Sequence, residues 1–211
     1  SKVDKLRASI PQGVAAPPED PTPVAEASLE RLDPPTVPEV IRIITSLNNT
    51  GAVGTDGIPT AAWKMAAPAV APAIAHVVAL SFRASKVPAA YKSAVVSPVW
   101  KEKGKPREEM ASYRPISVLP AVSKVLEKAA LERLVPHLEP LLPEEQFGFR
   151  AGRSTTAAVA AAHGSWTRAR TAGKALAIAA FDYSSAFDGM SKEEVLMRLR
   201  RLGVTGAALD W

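Results

Sequence analysis

The run Ala175-Leu176-Ala177-Ile178-Ala179-Ala180-Phe181 constrains the chain most, because it is apolar at odd and even positions alike. A strand with one wet face alternates, so a run with no polar side predicts a central strand covered on both faces. It ends in Asp182. A sheet interior that delivers a carboxylate at its C-terminal end needs something to compensate that charge, since an unpaired buried carboxylate is costly. Downstream, Ser191 and Glu194 form the S-x-x-E signature that starts a helix, here an amphipathic one running through Leu202.

Helical spacing dominates the rest. Residues 1–35 hold seven prolines among small and polar residues and read as a linker or wrapping arm with too little apolar surface to order itself. Structure is expected to begin at Thr36, which can cap a helix through Glu39 and present Val40, Ile43, Ile44 and Leu47 on one side. A second helical region covers Thr60 to Lys86, where Pro68 and Pro72 predict a kink or two short helices. The valine-rich segment Ser93–Trp100, the basic loop Lys101–Arg107 and the segment Arg114–Leu119 together predict a hairpin. Pro120 then opens a helix with Val122, Val125, Leu126 and Ala129 on one side, and another helix occupies Ser154 to Arg170. The fold class is thus α+β, mixed and rich in helix.

Composition narrows the chemistry. With no cysteine in 211 residues there is no disulfide and no thiolate-held zinc or iron–sulfur centre. His76, His137 and His163 stand far apart, so any metal must be held by carboxylates. The net charge of +5 favours a polyanionic partner. The apolar stretch 66–80 is interrupted by Pro68, Pro72 and His76 and falls short of the roughly 20 residues that span a bilayer, so no membrane is expected.

Four short motifs occur in a fixed order. They are Gly54-Thr55-Asp56-Gly57-Ile58-Pro59; Tyr113-Arg114-Pro115-Ile116-Ser117 with Ser123-Lys124-Val125-Leu126-Glu127-Lys128; Gln146-Phe147-Gly148-Phe149-Arg150 with Gly152-Arg153-Ser154-Thr155; and Phe181-Asp182-Tyr183-Ser184-Ser185-Ala186-Phe187-Asp188. Together they resemble the reverse transcriptase domain of non-LTR, LINE-like retrotransposons. The resemblance implies fingers over residues 36–172 and the first strand and helix of a right-hand polymerase palm over 173–211. The sequence has no adjacent pair of aspartates, so it is expected to stop before the family's Asp-Asp hairpin and to be inactive alone.

The same resemblance implies roles. Asp182, with the Tyr183 backbone carbonyl, would hold Mg²⁺ (or Mn²⁺ in its place) for two-metal phosphoryl transfer. Phe187 would exclude a ribose 2′-hydroxyl, and Lys101 and Arg114 would clamp the incoming deoxynucleoside triphosphate. Lys103, Lys105, Arg107, Arg150 and Arg153 would meet the backbone of an RNA template and DNA primer. Gly54, Asp56, Gly57 and Gly148 read as turn residues and Asp188 as a cap. At Gly54 the chain departs from the family, which usually carries a basic residue and a proline just before it. Nucleus or cytoplasm would be the compartment of a retroelement protein. The alternative reading is a catalytically dead retroelement-derived domain, serving as an RNA-binding or structural subunit among the proteins of a larger assembly. A basic helical scaffold with an incidental Asp turn is a third.

Overall fold

The computed structural model describes residues 26–49, 52–101, 104, 106–182 and 189–211. They form six α-helices and one two-stranded antiparallel sheet: α1 (Val37–Ser46), α2 (Thr60–Arg83), β1 (Val95–Trp100), β2 (Tyr113–Val118), α3 (Ala121–Leu138), α4 (Thr155–Thr171), α5 (Lys192–Arg201) and α6 (Gly206–Asp210). The chain divides into two compact units, one of Val24–His137 with Leu199–Trp211, the other containing Leu138–Arg198.

The first unit holds the core. Thr36 and Glu39 form a complete capping box: the Glu39 amide donates to Thr36 Oγ1 at 3.3 Å and the Thr36 amide to Glu39 Oε2 at 2.9 Å. The stripe this cap starts puts Val40, Ile43, Ile44 and Leu47 inside, each large aliphatic contributing about 1.5–3 kcal/mol of burial. In α2 the apolar residues Ala67, Ala71, Ile74, Val78 and Phe82 recur at helical spacing and are all buried. That stripe explains why Thr60–Arg83 is a single helix and not two, although Pro68 and Pro72 each remove an amide donor. At 24 residues, with a mean hydropathy of 1.7 in its most apolar window, α2 is long and apolar enough to cross a membrane by length and composition. Burial of its stripe against the unit is a second account of that composition. In α3 the residues read as one side, Val122, Val125, Leu126 and Ala129, are all buried. Its polar side ties to α1 through Arg42–Glu132 at 2.7 Å and Lys128 Nζ donating to Ser46 Oγ at 3.2 Å.

Packing begins earlier than the cap at Thr36. The Leu29 amide donates to Gly203 O at 2.8 Å, the Thr205 amide to Leu29 O at 2.9 Å and the Ala208 amide to Glu30 O at 2.9 Å. Leu32 is buried, and Arg133 donates to the Asp33 carbonyl at 2.9 Å while pairing with Glu39 at 3.0 Å. Residues 29–35 are therefore an ordered strap; the arm's earlier residues, 1–25, lie outside the described residues. At the far end Trp211 meets Phe82 edge-on at 5.3 Å between ring centroids and donates from Nε1 to Ser81 Oγ at 2.9 Å.

The second unit corrects the opening expectation. Residues 174–182 form no strand, and Leu176 (41% exposed), Ile178 (57%) and Phe181 (87%) lie in water. A strand exists only through the ladder it shares, and among the described residues the one sheet consists of β1 and β2. Asp182 is exposed as well, so no buried charge needs compensating. The expected S-x-x-E box at α5 is half made. The Glu194 amide reaches Ser191 Oγ at 3.4 Å, while the Glu194 carboxylate pairs with Arg198 at 3.0 Å.

Candidate nucleotide and nucleic-acid interface

The hairpin register pairs Val95 with Val118, Ser97 with Ile116, Pro98 with Pro115, Val99 with Arg114 and Trp100 with Tyr113. The Lys101 amide donates to Ser112 O at 2.8 Å, carrying the ladder one step further. Counting back from that bond, Pro98 and Pro115 fall on a non-hydrogen-bonded pair, where each missing N–H would point away from the partner strand. Two opposed prolines are thereby accommodated, and both outer edges lose a donor.

The alternation then sorts the functional candidates. Arg114 is opposite Val99, and Lys101 lies two residues beyond Val99, so the two cations share one face as diagonal neighbours about 7–8 Å apart at Cα. Arg114 is exposed. Lys101 donates one of its three ammonium hydrogens to Ala111 O at 2.7 Å. The other face carries Trp100 and Tyr113; the Arg107 guanidinium stacks 4.6 Å from the Trp100 ring centroid, and Tyr113 Oη donates to Arg107 O at 2.9 Å. Arg107 therefore lies with the aromatic face. Lys103 and Lys105 lie outside the described residues, as do Tyr183, Phe187 and Asp188.

Gly54, Asp56 and Gly57 build one turn, closed by the Gly57 amide on Gly54 O at 3.1 Å and the Ile58 amide on Asp56 Oδ1 at 3.2 Å. Gly57 takes a left-handed φ of 66°, for which glycine is the natural residue. Gly54 is needed for another reason. A Cβ there would sit 2.5 Å from Pro120 N and 2.8 Å from Leu119 C, so the turn rests directly on the β2–α3 junction. Contact there is with backbone, and no template-facing cation stands on this turn.

In the second unit the loop Pro143–Arg153 is organised from within. Arg150, its side chain only 8% exposed, pairs with Glu139 at 2.8 Å and donates to Pro143 O at 2.6 Å and Gln146 O at 3.2 Å. In the structure these donors face inward, and Arg150 shapes the loop. Gly148 accepts from Gln146 Nε2 at 3.1 Å. Arg153 is in part committed, donating to Glu144 O at 3.0 Å and stacking 5.2 Å from the Phe147 centroid. Ser154 caps α4 through the Ala157 amide at 3.1 Å.

Sequence reasoning passed over Glu127. It borders a recess of about 320 Å³ with Tyr91, Lys92, Leu126 and Trp211, and burial pushes its carboxyl above the ordinary value of 4.5 against the pull of Lys124. Ser112, buried with no hydrogen-bond partner for its Oγ, was equally invisible.

The family model described as "Reverse transcriptase (RNA-dependent DNA polymerase)" matches residues 101–209, more than half the chain, and the chain belongs to that family. Its relatives are non-LTR elements of Drosophila melanogaster. It is 38% identical over 131 residues to the "Probable RNA-directed DNA polymerase from transposon X-element", covering 59% of this chain and 14% of that protein. It is 31% identical over 193 residues to the "Putative 115 kDa protein in type-1 retrotransposable element R1DM", covering 88% and 18%. A third match, 39% over 70 residues, is to the "RNA-directed DNA polymerase from mobile element jockey", covering 32% and 8%. The chain thus spans less than a fifth of the length of each of these three relatives.

Proposed function

We propose that this chain supplies the fingers (residues 36–172) and the beginning of the palm (173–211) of a non-LTR reverse transcriptase that adds deoxynucleotides to a DNA primer on an RNA template. The observation that supports the reading is the hairpin register, which puts Lys101 and Arg114 on one face as diagonal neighbours, a spacing suited to a triphosphate. A rigid guanidinium fork beside a mobile ammonium matches a chain of phosphates better than either alone. Charge distribution supports it: the unit bearing the hairpin has 16 Lys+Arg against 11 Asp+Glu and carries the whole net +5.

Reverse transcriptases generally use a divalent metal. Asp182 offers hard oxygen donors at an exposed position, the chemistry Mg²⁺ prefers. Among the described residues no group of three or more His, Asp or Glu could hold a metal ion, so Asp182 is one carboxylate of a site that needs others.

The test is primer extension by a protein that joins this chain to an aromatic-x-Asp-Asp turn. Arg114→Ala should raise KM for the deoxynucleoside triphosphate about 10–100-fold, the loss of a charge-assisted phosphate contact, while primer–template affinity changes little. An unchanged KM would remove the clamp from the reading.

A further inference from the structure

Residues 101–112 separate the paired Trp100 and Tyr113, a longer connection than the roughly two to five residues on which hairpins usually turn. A loop of that length does not by itself fix the side chain at its entrance. Lys101 is held all the same, its ammonium donating to Ala111 O at 2.7 Å. The position of that carbonyl depends on how the returning segment is folded.

Three bonds turn residues 107–113 back on themselves. The Ser112 amide donates to Glu109 O at 2.9 Å, the Tyr113 amide to Met110 O, and Tyr113 Oη to Arg107 O at 2.9 Å. Tyr113 supplies two of these three donors. It also stands opposite Trp100 in the ladder, and the Arg107 guanidinium lies 4.6 Å from the Trp100 ring centroid. Arg107 is thus gripped at its carbonyl by the phenol and at its side chain by the indole. The two faces of the hairpin divide the work, with Tyr113 on the aromatic face and Lys101 and Arg114 on the other. A lysine on its flexible stem loses rotamer freedom when it binds a ligand, and one already held loses less.

We propose that Tyr113 is a positioning residue for Lys101: through its hydroxyl on Arg107 O it holds the Ala111 carbonyl against the ammonium, and so presets that cation beside Arg114 for a triphosphate. The proposal rests on the clamp reading and adds to it the group that sets the clamp's spacing from the opposite face.

Calorimetric titration of the chain with inorganic tripolyphosphate, and with deoxythymidine triphosphate as a second probe, tests it through a double-mutant cycle. Tyr113→Phe deletes one hydroxyl and keeps the ring opposite Trp100; it should weaken binding about 2–10-fold, the worth of one hydrogen bond. Lys101→Ala should weaken binding about 10–100-fold. Adding Tyr113→Phe to Lys101→Ala should then change affinity by less than about twofold, because the cation that the phenol positions is gone. A general loosening of the hairpin would add in full. Ser112→Ala is the control: it deletes a neighbouring buried hydroxyl that has no partner among the described residues, and affinity should stay at the wild-type value. Additive losses in the cycle, wild-type affinity in Tyr113→Phe, or an equal loss in Ser112→Ala would overturn the positioning role and leave the clamp standing. A wild-type chain that bound neither probe, or an Arg114→Ala or Lys101→Ala variant that bound them as tightly as wild type, would overturn the clamp reading and this role with it.

Discussion

Gly54→Ala is the sharpest test of how the hairpin is held. The added methyl would lie 2.5 Å from Pro120 N, 2.7 Å from Pro120 Cα and 2.8 Å from Leu119 C, about 1 Å inside ordinary carbon contact. All three atoms are backbone, so no rotamer change relieves the overlap, and either the turn or the β2–α3 junction must move. Overpacking of this kind costs about 1–3 kcal/mol. Gly57→Ala, three residues on, is the control: nothing lies within 4 Å of its Cβ, and its cost is the left-handed φ alone, about 1–2 kcal/mol. The two are separable by a second substitution. Asparagine tolerates the left-handed region and should nearly restore position 57, whereas at position 54 it should be worse than alanine. Hydrogen exchange over residues 113–126, read by mass spectrometry, is the assay, because it reports the junction even where denaturation is not two-state. Gly54→Ala should speed exchange there about 5–100-fold, and Gly57→Ala should act mainly on 54–58. Wild-type protection at the junction in Gly54→Ala would refute the close-contact argument.

Arg150→Met removes the guanidinium donors that tie the Pro143–Arg153 loop to Glu139, Pro143 O and Gln146 O. Because Glu139 remains 41% exposed and can be rehydrated, the expected cost is about 1–3 kcal/mol, measured as faster exchange and protease nicking within 143–153; an equally protected loop would count against its shaping role. Burial alone would raise the Glu39 carboxyl, but the Arg133 and Thr36 bonds outweigh it and hold the group below its ordinary 4.5. Its contribution to stability is therefore full above the unfolded value and lost as pH falls through the lower, folded one. Thr36→Ala should cost about 1 kcal/mol at neutral pH and show a shallower acid-side loss in urea titrations; a loss as steep as wild type would show that Thr36 does not set the carboxyl.

The elements written locally could be read in advance. Thr36 with Glu39, the stripe of α1, Ser154 before α4 and the buried side of α3 each depend on neighbours within a few residues, so the sequence displays them directly. The hairpin was legible because two valine-rich or aromatic runs flank a basic loop. Residues 175–181 were not, because apolarity on both sides records a demand for partner strands without naming them. The inward bonds of Arg150 were not legible for a related reason: a guanidinium in a Gly-rich motif is the same letter whether its fork faces outward or the loop's own carbonyls. The contacts of Leu29 with Gly203 and of Trp211 with Ser81 cross more than a hundred residues and leave no periodic trace.

Those last contacts set an order of events during synthesis. The unit built around α1, α2 and α3 is discontinuous, with residues 138–198 emerging from the ribosome before the segment that completes it. Until Thr205, Ala208 and Trp211 arrive, Leu29 and Glu30 lack their partners and the Phe82 ring lacks its cover. Closing so long an intervening stretch is entropically slow to begin and modest in final cost. A nascent chain of this kind carries a sticky, half-zipped seam for the whole time residues 138–198 are being made, the interval in which chaperones and aggregation would compete for it.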